Sequence, residues 1–248
     1  MSHAPSETAA LDVRERGAPV GDQPQTLDSR LFMQLLAFEC VSGLTPTEAV
    51  RRLSGQLSLA HMPAVIYVDV NHPTGLALLT YSEDPSDFVS RVRVACNSPE
   101  VAGLRARPEL SMLGRTYSTG FEQDLRFWLL DRPRQTVQNP AWPWAVWYPL
   151  RRKGSFELLD PKEKGGIMRE HGGIGRTYGE ADLAHDVRLA CHGLDANDNE
   201  FVIGLVSKDL YPLSHVVQAM RRTRQTAEFM EKMGPFFVGH AVWRNAGG

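Results

Sequence analysis

The sequence predicts an α+β fold in which one unit is used twice. Two observations carry this. Apolar, β-branched or aromatic runs alternate with segments opened by proline-containing helix caps. The order strand, helix, strand, strand, helix, strand is complete near Tyr117 and begins again at Trp144. A third observation is permissive: 248 residues, 42% hydrophobic and 23% charged, can build a sizeable core in one large domain or two small ones.

Residues 1–27 are rich in Pro, Gly, Ser, Asp and Glu and poor in aromatics, and are expected to be a disordered tail. The N-terminal half follows over residues 28–122. Arg30 to Val41 is strongly apolar and reads as a buried strand. Thr45-Pro46-Thr47-Glu48 has the form of a capping box with proline at the first helical position, opening a helix to about Leu57. Ala64 to Val70 is a β-branched strand, Asn71 to Gly75 is turn chemistry, and Leu76 to Tyr81 is another strand. Asp84-Pro85-Ser86-Asp87 starts a second helix to about Cys96, and Leu110 to Tyr117 reads as the closing strand.

Residues 123–139, with Arg132-Pro133-Arg134, are expected to link the halves. The C-terminal half, residues 140–248, opens with a strand from Trp144 to Arg152. Asp160-Pro161-Lys162-Glu163 places Asp at the N-cap, Pro at N1 and Glu at N3, and starts a helix to about His171. Asp186 to Leu194 and Glu200 to Ser207 read as strands joined by the polar turn Asp195 to Asn199. Leu213 to Lys232 reads as one long helix, with Val216, Val217, Met220, Ala227 and Met230 available for its buried side. Phe236 to Trp243 is the last strand. Each half is then ferredoxin-like: an antiparallel sheet with helices on one face.

Composition excludes several classes. A net charge of -2 gives no electrostatic case for nucleic acid or an anionic membrane. Cys40, Cys96 and Cys191 are far apart and form no CxxC, so neither a cysteine zinc site nor a disulfide framework is expected, and the odd count fits a reducing compartment. The first residues lack a basic n-region and an apolar h-region, and no apolar run reaches membrane length, so the cytoplasm is the expected address. No GxGxxG follows a strand, no GxxxxGK[ST] exists and no HExxH occurs. His72, His185, His215 and His240 have no ligand-like spacing.

The chemistry-bearing residues gather between Trp147 and Tyr178. Strand alternation puts Trp144, Val146, Tyr148, Leu150 and Arg152 on one face, so a phenol and a guanidinium point the same way. The plain alternative is a core tyrosine and a strand-end arginine whose head reaches solvent. His171 ends the expected helix just before Gly172-Gly173, a position the helix macrodipole alone would favour and where the glycine pair stops the helix. Gly165-Gly166 lets a flat group approach the helix, and Ile167 and Met168 supply the apolar neighbourhood that an axial haem histidine needs. Asp186, Arg188, Ala190 and His192 share a strand face that is either solvated or a site. Arg221-Arg222-Thr223-Arg224 reads as a solvated basic face. Tyr148, the cluster Arg151-Arg152-Lys153 and His171 form a set that can hold a metalloporphyrin. The imidazole would take the iron, the cations the carboxylates, and the phenol would give up an electron or a hydrogen atom.

These residues resemble the chlorite dismutase family of haem proteins, and within it the coproheme decarboxylases. The resemblance rests on Tyr148-Pro149-Leu150-Arg151-Arg152, on Glu170-His171-Gly172 followed by Ile174-Gly175-Arg176 and Tyr178, on Gly193-Leu194-Asp195, and on Gly234 to Gly239. It covers Trp142 to Trp243 well, while the first half matches in architecture. It implies tandem ferredoxin-like repeats forming a dimeric α+β barrel, with haem in the C-terminal half and five chains in a homopentamer. His171 looks like the proximal iron ligand and Tyr148 like the redox tyrosine. Arg152 and Arg134 fall where propionates are held. Asp186 corresponds to the distal position, with Arg188 two residues on and Asp131 as a further candidate. Leu150 replaces a methionine seen in some relatives.

The resemblance implies peroxide-dependent oxidative decarboxylation of two propionates through a tyrosyl radical. Iron coproporphyrin III (coproheme) would be both substrate and cofactor, and haem b the product. Hydrogen peroxide and transient contact with a ferrochelatase follow as partners. The alternatives are a chlorite dismutase or peroxidase-type enzyme, whose distal arginine only Arg188 can supply, or a non-catalytic haem or coproheme carrier.

Overall fold

The computed structural model of the chain describes residues 11–247. Its first elements correct an expectation. Glu15–Val20 (β1) and Gln23–Leu27 (β2) form an antiparallel hairpin, inside the stretch expected to be a disordered tail; residues 1–10 of that tail lie outside the described residues. The hairpin is held by distant chain. The Gln25 amide donates to the carbonyls of Glu122 at 3.1 Å and Gln123 at 2.9 Å, and Ala18 N donates to Glu122 O at 3.0 Å. Local composition carries no information about partners a hundred residues away.

The first half contains Phe32–Cys40 (β3), Pro46–Leu59 (α1), Ala64–Asp69 (β4), Gly75–Ser82 (β5), a π-helical turn Phe88–Val92 running into Arg93–Cys96 (α2), Leu104–Ala106 (β6) and Met112–Arg115 (β7). Thr45 caps α1 by accepting from Glu48 N, and the helix buries Ala49, Leu53 and Leu57, one residue per turn. The closing strand β7 is shorter than expected, and β6 precedes it on the same edge of β3.

The link between the halves is helical: a π-helical turn Phe127–Asp131 continues into Arg132–Gln138 (α3). Then follow Trp144–Arg152 (β8), Pro161–Glu180 (α4), His185–Ala190 (β9), Phe201–Ser207 (β10), Leu210–Met220 (α5), Arg224–Phe229 (α6), Met230–Met233 (β11) and Phe237–Asn245 (β12). Two expectations fail here. Helix α4 runs through Gly172-Gly173 to Glu180. A glycine pair stops a helix when one residue turns left-handed, and none of the α4 glycines has positive φ; the left-handed residue is Asp182, φ 54°. The expected helix from Leu213 to Lys232 breaks at Thr223, whose extended backbone (ψ 151°) and side chain cap α6.

Each half has its strands in the spatial order fourth, first, third, second: β7-β3-β5-β4 and β12-β8-β10-β9. The halves are stitched by β4 with β12 and by Arg115 with Ala190 between β7 and β9. Because β8 also pairs with β10, the path closes into an eight-stranded antiparallel barrel. Closure removes the free sheet edges.

Alternation then sorts the side chains. Met33, Leu35, Tyr67, Leu79, Ala145, Trp147, Leu189 and Val202 fill the interior. Ile66, Leu76 and Leu78 face outward under α1 and α2, and Val146, Tyr148, Leu150 and Leu205 face outward under α4 and α5. Among the described residues no helix is long and apolar enough to cross a membrane.

Trp147 is fully buried and opposes Gly204 across the β8–β10 pair. A Cβ on Gly204 would stand 2.5 Å from the indole ring. Gly204→Ala should therefore lower stability by about 1–3 kcal/mol through overpacking, read as a lower urea midpoint. An unchanged midpoint would mean that the indole does not wedge the barrel.

Candidate functional site

The site lies between the outer face of β8–β10 and helix α4. On β8, Val146, Tyr148 and Leu150 point to this side, joined by Phe201, Ile203 and Leu205 of β10. On α4, Ile174 and Tyr178 pack into this cluster, Ile167 packs against Phe156 and Phe229 instead, and half-buried His171 lies between them along the same helical stripe. The helix is sparsely clad: of its twenty residues only Ile167 is fully buried. A Cβ added at Gly166, Gly172 or Gly173 would meet nothing within 4 Å. The apolar face of the sheet is thus covered by α5 and by Ile174 and Tyr178 of α4, while Gly172 and Gly173 leave the α4 backbone exposed.

His171 is half-buried, with Nδ1 3.3 Å from the Thr223 hydroxyl. Burial holds its pKa below the usual imidazole value and Arg188 adds to this, against Glu170 and Asp186. The ring is therefore neutral at pH 7 and keeps a lone pair for a metal. No cluster of three or more His, Cys, Asp or Glu residues able to hold a metal exists among the described residues. A single imidazole donor near an apolar surface would suit a metal whose other ligands a macrocycle supplies. The residues fit a metalloporphyrin on that ground.

Tyr148 is 6% exposed and stacks on Phe236, ring centroids 4.5 Å apart at 23°. Burial, reinforced by Asp186 and opposed by Arg221, pushes the phenol well above its ordinary pKa. It stays protonated, so its oxidation means loss of a hydrogen atom, or of an electron and a proton together.

Asp186 is gripped from two sides. Arg132 donates to its carboxylate at 2.6 Å and to its backbone carbonyl at 2.9 Å, and Arg188 Nε approaches at 2.9 Å. Burial opposes ionisation here, yet Arg188 and Arg132 together hold the carboxyl below its usual range. A carboxylate so paired is a weak base. The Arg132 guanidinium also lies 4.7 Å over the Trp128 ring. Arg188 keeps 42% of its side chain exposed. It borders a polar pocket with Thr116, Tyr117, Glu122, Trp128 and Arg132.

Arg152 shares the Tyr148 face as expected, but it is occupied. It pairs with Glu200 at 3.3 Å and Glu157 at 3.2 Å, and it lies between the Phe156 and Phe201 rings at 4.4 and 4.8 Å. Arg134, expected beside a propionate, is not brought to this cleft: it pairs with Glu83, at 2.5 Å, and with Asp131, at 3.8 Å. The reason is helical. Residues two apart on a helix point about 200° apart, so Arg132 turns to Asp186 and Arg134 turns away. Read as an irregular linker, the Arg-Pro-Arg motif could not tell them apart.

Three residues escaped the sequence reading. Arg132 had a signal, in that recognising the linker as a helix separates it from Arg134. Arg221 is exposed at the C-cap of α5, and its charge reaches Tyr148. Thr223 is buried among arginines that looked like a solvated face, and nothing local marks it.

Residues 81–242 match the sequence profile of the chlorite dismutase family. Coproheme decarboxylases from two strains of Thermus thermophilus are 34% identical to this chain over 112 residues, which is 44% of this chain and 43% of theirs. The match thus spans less than half the length of those curated relatives. Among solved structures, chlorite dismutase from Candidatus Nitrospira defluvii in complex with imidazole superposes with a TM-score of 0.68 at 14% identity, covering 88% of this chain and 93% of the other. A heme-binding protein from Thermus thermophilus superposes at 0.67 and 21% identity over the same shares. These two likenesses are of fold.

Arg132→Leu removes one of the two cations on Asp186, and the carboxyl should rise toward its ordinary value. A carboxyl depressed by folding contributes stability in full above the ordinary range, about pH 4, and loses it as the pH falls through the lowered value. The variant should therefore be less stable than wild type at neutral pH, with the gap narrowing in acid. Urea midpoints measured across pH read this; a gap that stays constant on acidification would exclude the ion pair as its cause.

Proposed function

The chain belongs to the chlorite dismutase family, and on that premise we propose that it is a coproheme decarboxylase, converting iron coproporphyrin III to haem b with hydrogen peroxide. What supports this reading is that a neutral imidazole, His171 on α4, and a protonated, ring-stacked phenol, Tyr148 on β8, both feel the charge of Asp186 beside the β8–β10 face. The similarity to curated coproheme decarboxylases supports it.

The substrate supplies its own redox centre: each propionate lost as carbon dioxide leaves a vinyl group and gives up two electrons, which one peroxide takes in becoming water. The protein's part is binding and placement. His171 offers its ring nitrogen to the iron. Tyr148 would pass one electron and its hydroxyl proton to the peroxide-derived oxidant and recover a hydrogen atom from the β-carbon of the propionate, whose second electron would go to the same oxidant as carbon dioxide leaves. Its high pKa keeps that hydrogen in place between events. Arg221, exposed and electrostatically coupled to Tyr148, holds the reacting carboxylate. Arg152 reaches a second carboxylate by releasing Glu157, the more exposed of its two partners. Asp186 is too weak a base to deprotonate peroxide while Arg132 and Arg188 hold it. Its role is to fix Arg188, which orients the oxidant. Five like chains, a cytoplasmic address and delivery of substrate by a ferrochelatase complete the proposal by family resemblance.

One observation favours a second reading. Arg188, though paired with Asp186, is a half-exposed guanidinium beside the cleft, and a distal arginine suits chlorite decomposition or a peroxidase. Oxygen evolution from chlorite by the haem-loaded protein would favour it.

Mixed with iron coproporphyrin III and then peroxide, the protein should give a product short of two carboxyl groups by mass spectrometry. Tyr148→Phe should bind the substrate with a similar Soret shift and form no vinyl product. Undiminished turnover in that variant would remove Tyr148 as the relay. Binding without any product in the wild type would leave a carrier instead of an enzyme.

A further inference from the structure

Thr223 joins α5 to α6 and is 1% exposed. Its hydroxyl lies 2.8 Å from the Met220 carbonyl, 3.4 Å from Thr226 N and 3.3 Å from His171 Nδ1. A hydroxyl carries one hydrogen. The Met220 carbonyl can only accept, and it is the nearest of the three, so the hydroxyl donates there. Thr226 N–H is a donor, and it takes one of the oxygen's lone pairs as the α6 cap. What remains for His171 is an acceptor. The contact is favourable only if Nδ1 carries the ring hydrogen, and Nε2 then keeps the lone pair.

Neighbouring contacts hold α4 in the register that makes this possible. The Glu170 carboxylate accepts from Arg224 N at 3.1 Å, and the Arg224 guanidinium pairs with Glu163 at 2.7 Å. Helix α4 is thus fastened to the start of α6 by three polar contacts, of which His171–Thr223 is made at the α6 cap and the other two at Arg224. The ring cannot rotate freely about χ2 without losing its bond, so the nitrogen opposite Thr223 is presented in one direction.

We propose that Thr223 is the positioning residue of His171, selecting its Nδ1–H tautomer and ring orientation so that Nε2 is the single available donor. The use of that donor rests on the haem reading above; the tautomer belongs to the polypeptide alone. Partners of this kind set ring orientation and ligand basicity in metal sites generally.

The test has two arms. In the full-length, ligand-free protein labelled with nitrogen-15, long-range proton–nitrogen correlation spectra report which ring nitrogen of His171 is protonated. Wild type and Thr223→Ser should both show Nδ1–H, whereas Thr223→Val should move the population toward Nε2–H. A wild-type spectrum with Nε2–H overturns the proposal and needs no variant to fold. So does a folded Thr223→Val with the wild-type pattern. In the second arm, ferrous iron coproporphyrin is added and the iron–imidazole stretch is read by resonance Raman. Thr223→Val should lower its frequency and Thr223→Ser should restore it; equal frequencies in all three also overturn the proposal. Nδ1–H in the wild type with no Soret shift on adding iron coproporphyrin would sink the haem reading while upholding the tautomer.

Discussion

The pairing of β8 with β10 is the contact on which the rest of the molecule depends. It closes the sheet, and once the sheet is closed every residue of β8 has one of two destinations. Ala145 and Trp147 go into the barrel; Val146, Tyr148 and Leu150 go to the helices. A slip of one residue would exchange the two sets. Trp147 makes that slip costly because its indole fits only where the opposing strand has no side chain, at Gly204. The orientation of the chemically interesting tyrosine is therefore decided by the bulk of its neighbour and by a glycine fifty-six positions away.

Helix α4 solves a different problem. A helix of twenty residues with one fully buried side chain has little apolar packing of its own. Each interior glycine costs about 0.5–1 kcal/mol relative to alanine. Polar fastening takes the place of packing. Asp160 caps its start, and Glu163, Glu170 and His171 tie it to α6. The result is a helix fixed at its polar contacts and thinly clad around Gly172 and Gly173, which would be a poor design for a core element.

Electrostatics around the site are arranged in two layers. Near the sheet, Arg132, Asp186 and Arg188 neutralise one another in part, so that a half-buried carboxylate is tolerated and one guanidinium stays half-exposed. Burial acts on one group in each layer, pushing the His171 imidazole down on α4 and the Tyr148 phenol up on β8, so that both are uncharged at neutral pH. A neutral ligand and a protonated phenol are what a metal and a hydrogen-atom donor respectively require, and both follow from the same exclusion of water.

Much of this was legible along the chain. The repeat is a local pattern of alternation and caps, so the order of strands and helices in both halves followed from the sequence, as did the shared face of Tyr148 and Arg152. What the sequence could not decide was where a locally ambiguous segment finds its partners. The hairpin Glu15–Leu27 forms because Glu122 and Gln123 offer carbonyls to it. Helix α4 continues past two glycines with Glu170 and His171 fastened to the start of α6 before them and Tyr178 bonded to His215 of α5 after them. Arg132 and not Arg134 meets Asp186 because the linker is a helix. Thr223 interrupts one helix to cap another and in doing so meets His171. Caps and alternation act over a few residues and can be read in order; hydrogen bonds and ion pairs between residues fifty or a hundred positions apart exist only once the barrel has closed and brought them within three ångströms.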